Sequence, residues 1–196
     1  MRKNLSLAIA FSLFVFSFCF SQNLVTPQPS PTEEIKQNFG VSQIEVSYSR
    51  PGIKGRKIFG DLVPYNKVWR TGANNATTIS FGDDVMINGT KISAGKYGLL
   101  TIPAENEWTI IITKQTDVTN ASAYKQDQDV LRVQAKSYPL PFSIENLTIS
   151  FNDITSDSCK LELMWDNVYV NVPITTDIDS KVMTQIKEVM DADNRP

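Results

Sequence analysis

From Glu33 onward the chain alternates apolar and polar residues with a period of two. Ile44, Val46 and Tyr48 fall on one face of an extended segment while Glu45 and Ser47 take the other. The same pattern returns at Thr77 to Phe81, Val85 to Ile87, Tyr97 to Ile102 and Trp108 to Ile112. It recurs at Val130 to Ala135, Leu147 to Phe151, Leu161 to Trp165 and Val168 to Val172, so each of these stretches is predicted to be a strand. Asn88-Gly89, between Val85-Met86-Ile87 and Lys91-Ile92, is the dipeptide of a type I′ hairpin. Ala94-Gly95, Pro103 to Asn106 and Thr155 to Ser158 supply further turns. Short strands separated by turn residues predict an all-β domain over residues 33–174, a two-sheet antiparallel sandwich of jelly-roll type. Only the C-terminus changes period. Val182, Met183, Ile186, Val189 and Met190 follow helical spacing, with Thr176 or Asp177 as the cap. They predict an amphipathic helix within 175–196 that lids one end or edge of the sheets.

The first 32 residues break the pattern. Arg2 and Lys3 precede an uncharged run from Leu5 to Phe20 that ends in small residues at Cys19 and Ser21. This layout predicts a signal peptide over residues 1–21, cleaved after Ser21. An uncleaved anchor would need a longer apolar run. Export to the periplasm or medium follows, with no membrane span left after cleavage. Residues 22–32, with Pro27, Pro29 and Pro31 at alternate positions, read as an extended tether.

Composition removes whole classes of function. Of 196 residues, 41% are hydrophobic and 20% charged, which excludes a disordered or collagen-like chain. The chain has no histidine, so Ser/His and Cys/His nucleophile pairs and His-ligated metal sites are absent. Without Arg2 and Lys3 the 19 basic residues fall to 17 against 21 acidic ones, moving the net charge from −2 to −4 and arguing against a nucleic-acid partner. Losing Cys19 leaves Cys159 alone, which reads as a small buried core residue, with a reactive thiol as the alternative. The acidic pairs Asp83-Asp84, Asp127/Asp129, Asp177/Asp179 and Asp191/Asp193 lack the spaced Asp/Asn-Gly loop and closing Glu of a calcium site, and read as solvated or capping residues. Ser93-Ala94-Gly95-Lys96 has the Ser-x-x-Lys spacing of penicillin-recognising enzymes, but sits in a turn before a strand rather than at a helix start. No metal ligand, cofactor or catalytic residue is assigned from the sequence.

One segment carries concentrated chemistry. Between Arg50 and Arg70 there are six basic side chains (Arg50, Lys54, Arg56, Lys57, Lys67 and Arg70) and one acid, Asp61. Charge of one sign gathered in a loop focuses field on an anionic partner. Trp69 and Tyr65 add planar apolar faces, and Asn74, Asn75 and Thr71 add directional hydrogen bonding. The runs Ser-Arg-Pro from Ser49, Lys-Gly-Arg from Lys54, Ile-Phe-Gly from Ile58, Leu-Val-Pro-Tyr from Leu62 and Val-Trp-Arg-Thr-Gly-Ala-Asn from Val68 stand here, followed by Ala-Gly-Lys-Tyr from Ala94 and Thr-Ile-Pro from Thr101. In these motifs the chain resembles a bacterial secreted family known as domain of unknown function 2911. The resemblance implies an exported β-rich domain and no particular activity. It also implies a glutamate after Gly-Ala-Asn, where this chain has Asn75, which weighs against a catalytic carboxylate at that position.

Arg50, Arg56, Trp69, Arg70, Asn74 and Asn75 are therefore the candidate binding residues, for an anionic or carbohydrate ligand in the cell envelope. Each also has a structural reading. Trp69 can be a loop anchor in the core, Arg70 can fork onto backbone carbonyls, and Arg56 can belong to a solvated face. A histidine-independent hydrolase or lyase on envelope polysaccharide, and a structural protein-interaction module, remain as alternatives.

Overall fold

The computed structural model describes residues 26–193, so the signal-peptide segment and its cleavage position lie outside the described residues. Nine strands follow in order: β1 (Thr32–Phe39), β2 (Ser42–Ser49), β3 (Thr78–Phe81), β4 (Val85–Ile87), β5 (Thr90–Ile92), β6 (Gly95–Ile102), β7 (Glu107–Thr113), β8 (Asp129–Asn152) and β9 (Ser158–Thr175). A single helix, α1 (Ile178–Asp193), ends the described chain. The strands form one antiparallel ladder in the order β1-β2-β3-β6-β7-β8-β9-β4-β5. The all-β class and the C-terminal helix match the sequence expectation, while the two sheets foreseen there are joined into one.

The join lies in β8 and β9, which the alternation had divided into four short strands. The first part of β8 pairs with β7, from Glu107↔Lys136 to Thr113↔Asp129, and the remainder pairs with β9. The β8–β9 register shifts between Pro139 and Ile144 and again between Ile144 and Thr148. Extra residues on one strand bend a ladder, and Pro141 falls in the stretch where the pairing shifts. Asp166, at φ +52°, sits at the bend on the β9 side. Beyond it, the β8–β9 portion meets β2. Tyr48 of β2 accepts a hydrogen bond from the Ile149 backbone N–H of β8 at 2.9 Å.

One apolar core fills the space between these portions. Ile44, Val46 and Tyr48 of β2, Ile79 of β3, Leu99 of β6 and Ile110 of β7 pack with Leu147 and Ile149 of β8 and Leu163 and Trp165 of β9. The Asn88-Gly89 turn between β4 and β5 has φ +46° and +82°, the I′ geometry read from the sequence. Ile111 and Leu100 point the other way and are also buried, because the Lys114–Gln128 loop folds over them with Val118. Gly98 permits that crossing: a Cβ there would stand 2.1 Å from the Gln115 carbonyl oxygen.

Helix α1 departs from its expected role. Asp177 caps it, its Oδ1 accepting from the Ser180 N–H at 3.1 Å. Lys181 fixes its base through Asp83 at 2.8 Å and the Thr176 hydroxyl at 2.6 Å. No residue of the helix is buried, so it does not lid the sheet. The apolar spacing yields the helix but not the lid expected of it. No described helix is long and apolar enough to cross a membrane.

Candidate functional site

The Arg50–Thr77 segment contains no long strand or helix, yet it is pinned at many points. Trp69 makes an isolated antiparallel bridge with Thr101 of β6, with N–H to O distances of 2.7 and 2.9 Å. Ile53 N–H donates to Glu145 O at 2.8 Å, and Leu147 N–H donates to Pro51 O at 3.0 Å, tying the segment to β8. Phe59 and Trp69 join Trp108 and Trp165 in an aromatic group, in which Trp69 lies nearly parallel to Trp165, with centroids 5.8 Å apart and planes at 17°. The Trp69 indole N–H donates to Gly72 O at 3.2 Å. Thr71, buried, has φ +56°, an uncommon state for a β-branched residue. Its hydroxyl donates to Thr101 Oγ1 at 3.1 Å, and its carbonyl accepts from Thr77 Oγ1 at 2.9 Å, which hold it there. Strain of this kind gathers at functional sites, and here it lies between Arg70 and Gly72.

Beside this group is a cavity of about 390 Å³, in the size range of small-molecule sites. Trp69, Arg70, Arg56, Trp165, Val68 and Leu62 form much of its wall, with Ser30 from the Pro-rich segment and Thr119 to Ala121 from the Lys114–Gln128 loop. No aspartate or glutamate is among its described lining residues. The loop is placed by the burial of Val118, by Asn120, whose Oδ1 accepts from Ser122 N–H at 2.9 Å, and by Gln115, whose side-chain amide donates to Ala123 O at 3.0 Å. Tyr124 anchors its far side, donating to Asp129 at 2.5 Å, and burial pushes its phenol pKa up to about 12.

The candidate residues divide on this geometry. Arg56, Trp69 and Arg70 share the cavity wall. Arg50 does not line it: its guanidinium donates to Leu147 O and Thr148 Oγ1, each at 3.0 Å, and to Glu33 at 3.2 Å, clamping β1 to β8. Asn74 donates to Ser30 O at 2.9 Å and so holds the Pro-rich segment against the rim. That segment is also fixed by Arg50 N–H to Pro31 O at 2.9 Å, and Thr32, assigned to the tether from the sequence, opens β1. Asn75 is exposed and outside the wall. Trp165, read from the sequence only as core, is both core and wall, whereas Thr119 to Ala121 carried no local signal at all.

The two wall arginines differ in what they have left to offer. Arg56 donates from Nε to Ile53 O at 3.0 Å and from Nη2 to Gly52 O at 2.6 Å. Arg70 donates from Nη1 to Thr119 O, while its Nε is buried without any acceptor. A buried donor lacking a partner costs about 1–3 kcal/mol, more when it belongs to a charged group. The site thus offers positive charge from two guanidinium groups beside apolar and polar lining residues, none of the described ones acidic.

The family model described as "Protein of unknown function (DUF2911)" matches residues 30–174. The chain belongs to this family. The match spans the whole ladder short of its last residue, including every wall residue of the cavity, and leaves α1 outside. No curated protein and no solved structure matches the chain. The DUF2911 membership carries no activity with it, so function rests on the site.

Proposed function

We propose that this DUF2911 domain is an exported binding module that holds a small anionic ligand in the Arg56–Trp69–Arg70 cavity. Export rests on the Arg2-Lys3 start and the uncharged run to Phe20. The observation that carries the binding reading is the presence of two guanidinium groups, Arg56 and Arg70, in one wall with no acid among its described lining residues. An oxyanion supplies the opposite charge. A glycosidase-type hydrolase would need two carboxylates flanking the ligand, which this wall does not present. Stacking of a sugar on Trp69 is less favoured than the anion, because Trp165 already covers one indole face.

The test is a thermal-shift panel of small carboxylates, phosphates, sulfate and neutral sugars. A ligand at about a hundred times its Kd adds roughly 2.7 kcal/mol to the native state. Anions are expected to raise Tm and neutral sugars to leave it unchanged. A panel in which only neutral sugars raise it, or no compound does, contradicts the reading.

A further inference from the structure

The two ends of the ladder are closed differently. At one end β5 has only three residues, and a short edge strand recruits poorly. At the other, β1 runs for eight residues without a proline and in unbroken register with β2, from Thr32↔Ser49 to Phe39↔Ser42. In an antiparallel pair, alternate residues carry the hydrogen bonds to the neighbour. The Arg50 N–H donates to Pro31 O, one pair beyond Thr32↔Ser49, so the β1 residues bonded to β2 are Glu33, Ile35, Gln37 and Phe39. The N–H and C=O groups of Thr32, Glu34, Lys36 and Asn38 therefore face away from β2, and no backbone group among the described residues pairs with them. The Asn38 carbonyl accepts only from the exposed side-chain amide of its neighbour Gln37, at 2.9 Å. The Ser30 carbonyl is taken by Asn74, so the open edge starts at Thr32.

We propose that this edge pairs with β1 of a second copy of the chain, antiparallel across a two-fold axis at Ile35. Charges on an edge ordinarily blunt such pairing. Here their order makes them complementary to the same strand read backwards. An axis at Glu34 or at Lys36 sets that residue against itself, and like charges directly opposite are destabilising. An axis at Ile35 sets Glu34 opposite the second copy's Lys36, and Lys36 opposite its Glu34, all on the exposed face of β1. Lys36, held by Glu45 of β2 at 3.0 Å, then lies between two carboxylates. In that register Glu34 exchanges backbone bonds with Lys36 and Thr32 with Asn38, so every free group on both edges finds a partner. Ile35, half-buried at the margin of the core, meets its own copy at the axis and loses apolar surface to it.

Sedimentation of the chain purified after export, from about 1 to about 200 µM, reads the association, and its mass is expected to double within that range, as for a small interface. Glu34→Pro deletes one free N–H and leaves every bond to β2 in place, so it is expected to weaken the dimer at least about tenfold while keeping the wild-type circular dichroism. Glu34→Lys and Lys36→Glu, each alone, set like charges across both rows and are expected to be monomers where the wild type is a dimer. Mixed, the two variants set opposite charges across both rows, and the dimer is expected to return, a recovery that misfolding does not produce. In the wild type, the Glu34, Lys36 and Asn38 amides are expected to exchange slowly only at high concentration, and those of Ile35 and Gln37 at every concentration. A chain that stays monomeric throughout, a dimer unaffected by Glu34→Pro, variants that do not recover on mixing, or fast exchange of Glu34 and Lys36 in the dimer overturns the proposal.

Discussion

Between Arg50 and Thr77 the backbone follows no extended regular element, yet Pro51, Ile58, Phe59, Val63, Thr71 and Thr77 are all buried there. Helix α1 is regular throughout Ile178–Asp193 and buries nothing, with Met183 52% and Val189 69% exposed. The contrast separates two properties that are often taken together. Backbone regularity comes from local periodicity, while rigidity comes from partners distant in sequence. The irregular segment reaches Glu145, Leu147, Thr148 and Thr101, up to 98 residues away, whereas no described residue of the helix is buried. A binding wall needs the second property, because its donors must wait in place for the ligand.

Trp165→Ala is the largest blow to this arrangement. It opens a cavity in the core and removes the stacking partner of Trp69, and is expected to cost about 3–5 kcal/mol in denaturant unfolding. Arg50→Ala comes next, at about 2–3 kcal/mol by the same measurement, since it leaves Leu147 O and Glu33 without their charged donor. A cost near zero would mean that the segment is not clamped. Tyr48→Phe is expected to cost about 1–2 kcal/mol and to speed exchange of the Ile149 amide, whose hydrogen bond is lost.

Cys159 sharpens the comparison through pH. Burial pushes its thiol from 9.0 up to about 11, so the native state holds the proton more tightly than the unfolded chain does. Its stabilising contribution is complete below pH 9 and is lost as pH rises through 11. Labelling by a thiol reagent at pH 8 is accordingly expected to follow global unfolding, and fast labelling of the native protein would contradict the buried position. The smallest effect belongs to the helix. Ile186→Asp is expected to change stability by no more than about 0.5 kcal/mol, and a loss above 2 kcal/mol would show that something covers that face.

Much of the ladder was legible because alternation is a local signal. Ile44-Val46-Tyr48 and the Asn88-Gly89 turn state their conformation within a few residues. The continuity of β8 and β9 was not legible, since the alternation stops between Ala135 and Leu147 and between Trp165 and Val168, and only pairing across the bend joins those stretches. The helix was legible as a helix, but its lack of cover depends on the sheet and not on its own spacing. In the site, charge density pointed to Arg56, Trp69 and Arg70, and the structure brings them to one wall. The same density could not separate Arg50, which acts on β1 and β8, from Arg70, because the acceptors that distinguish them lie 97 and 49 residues away. Thr119 to Ala121 became visible only through Gly98, whose missing side chain lets their loop cross β6.

Hydrogen–deuterium exchange, with and without a small anion that raises Tm, tests most directly whether the irregular segment is the rigid binding wall. Without ligand, the Ile53, Trp69 and Leu147 amides are expected to be protected nearly as strongly as those of β7, and the α1 amides to exchange orders of magnitude faster. With ligand, added protection is expected at Arg70 to Ala73 and at Thr119 to Ala121, with none in α1. Fast exchange of Ile53 and Trp69 in the free protein, or ligand protection confined to the helix, would contradict it.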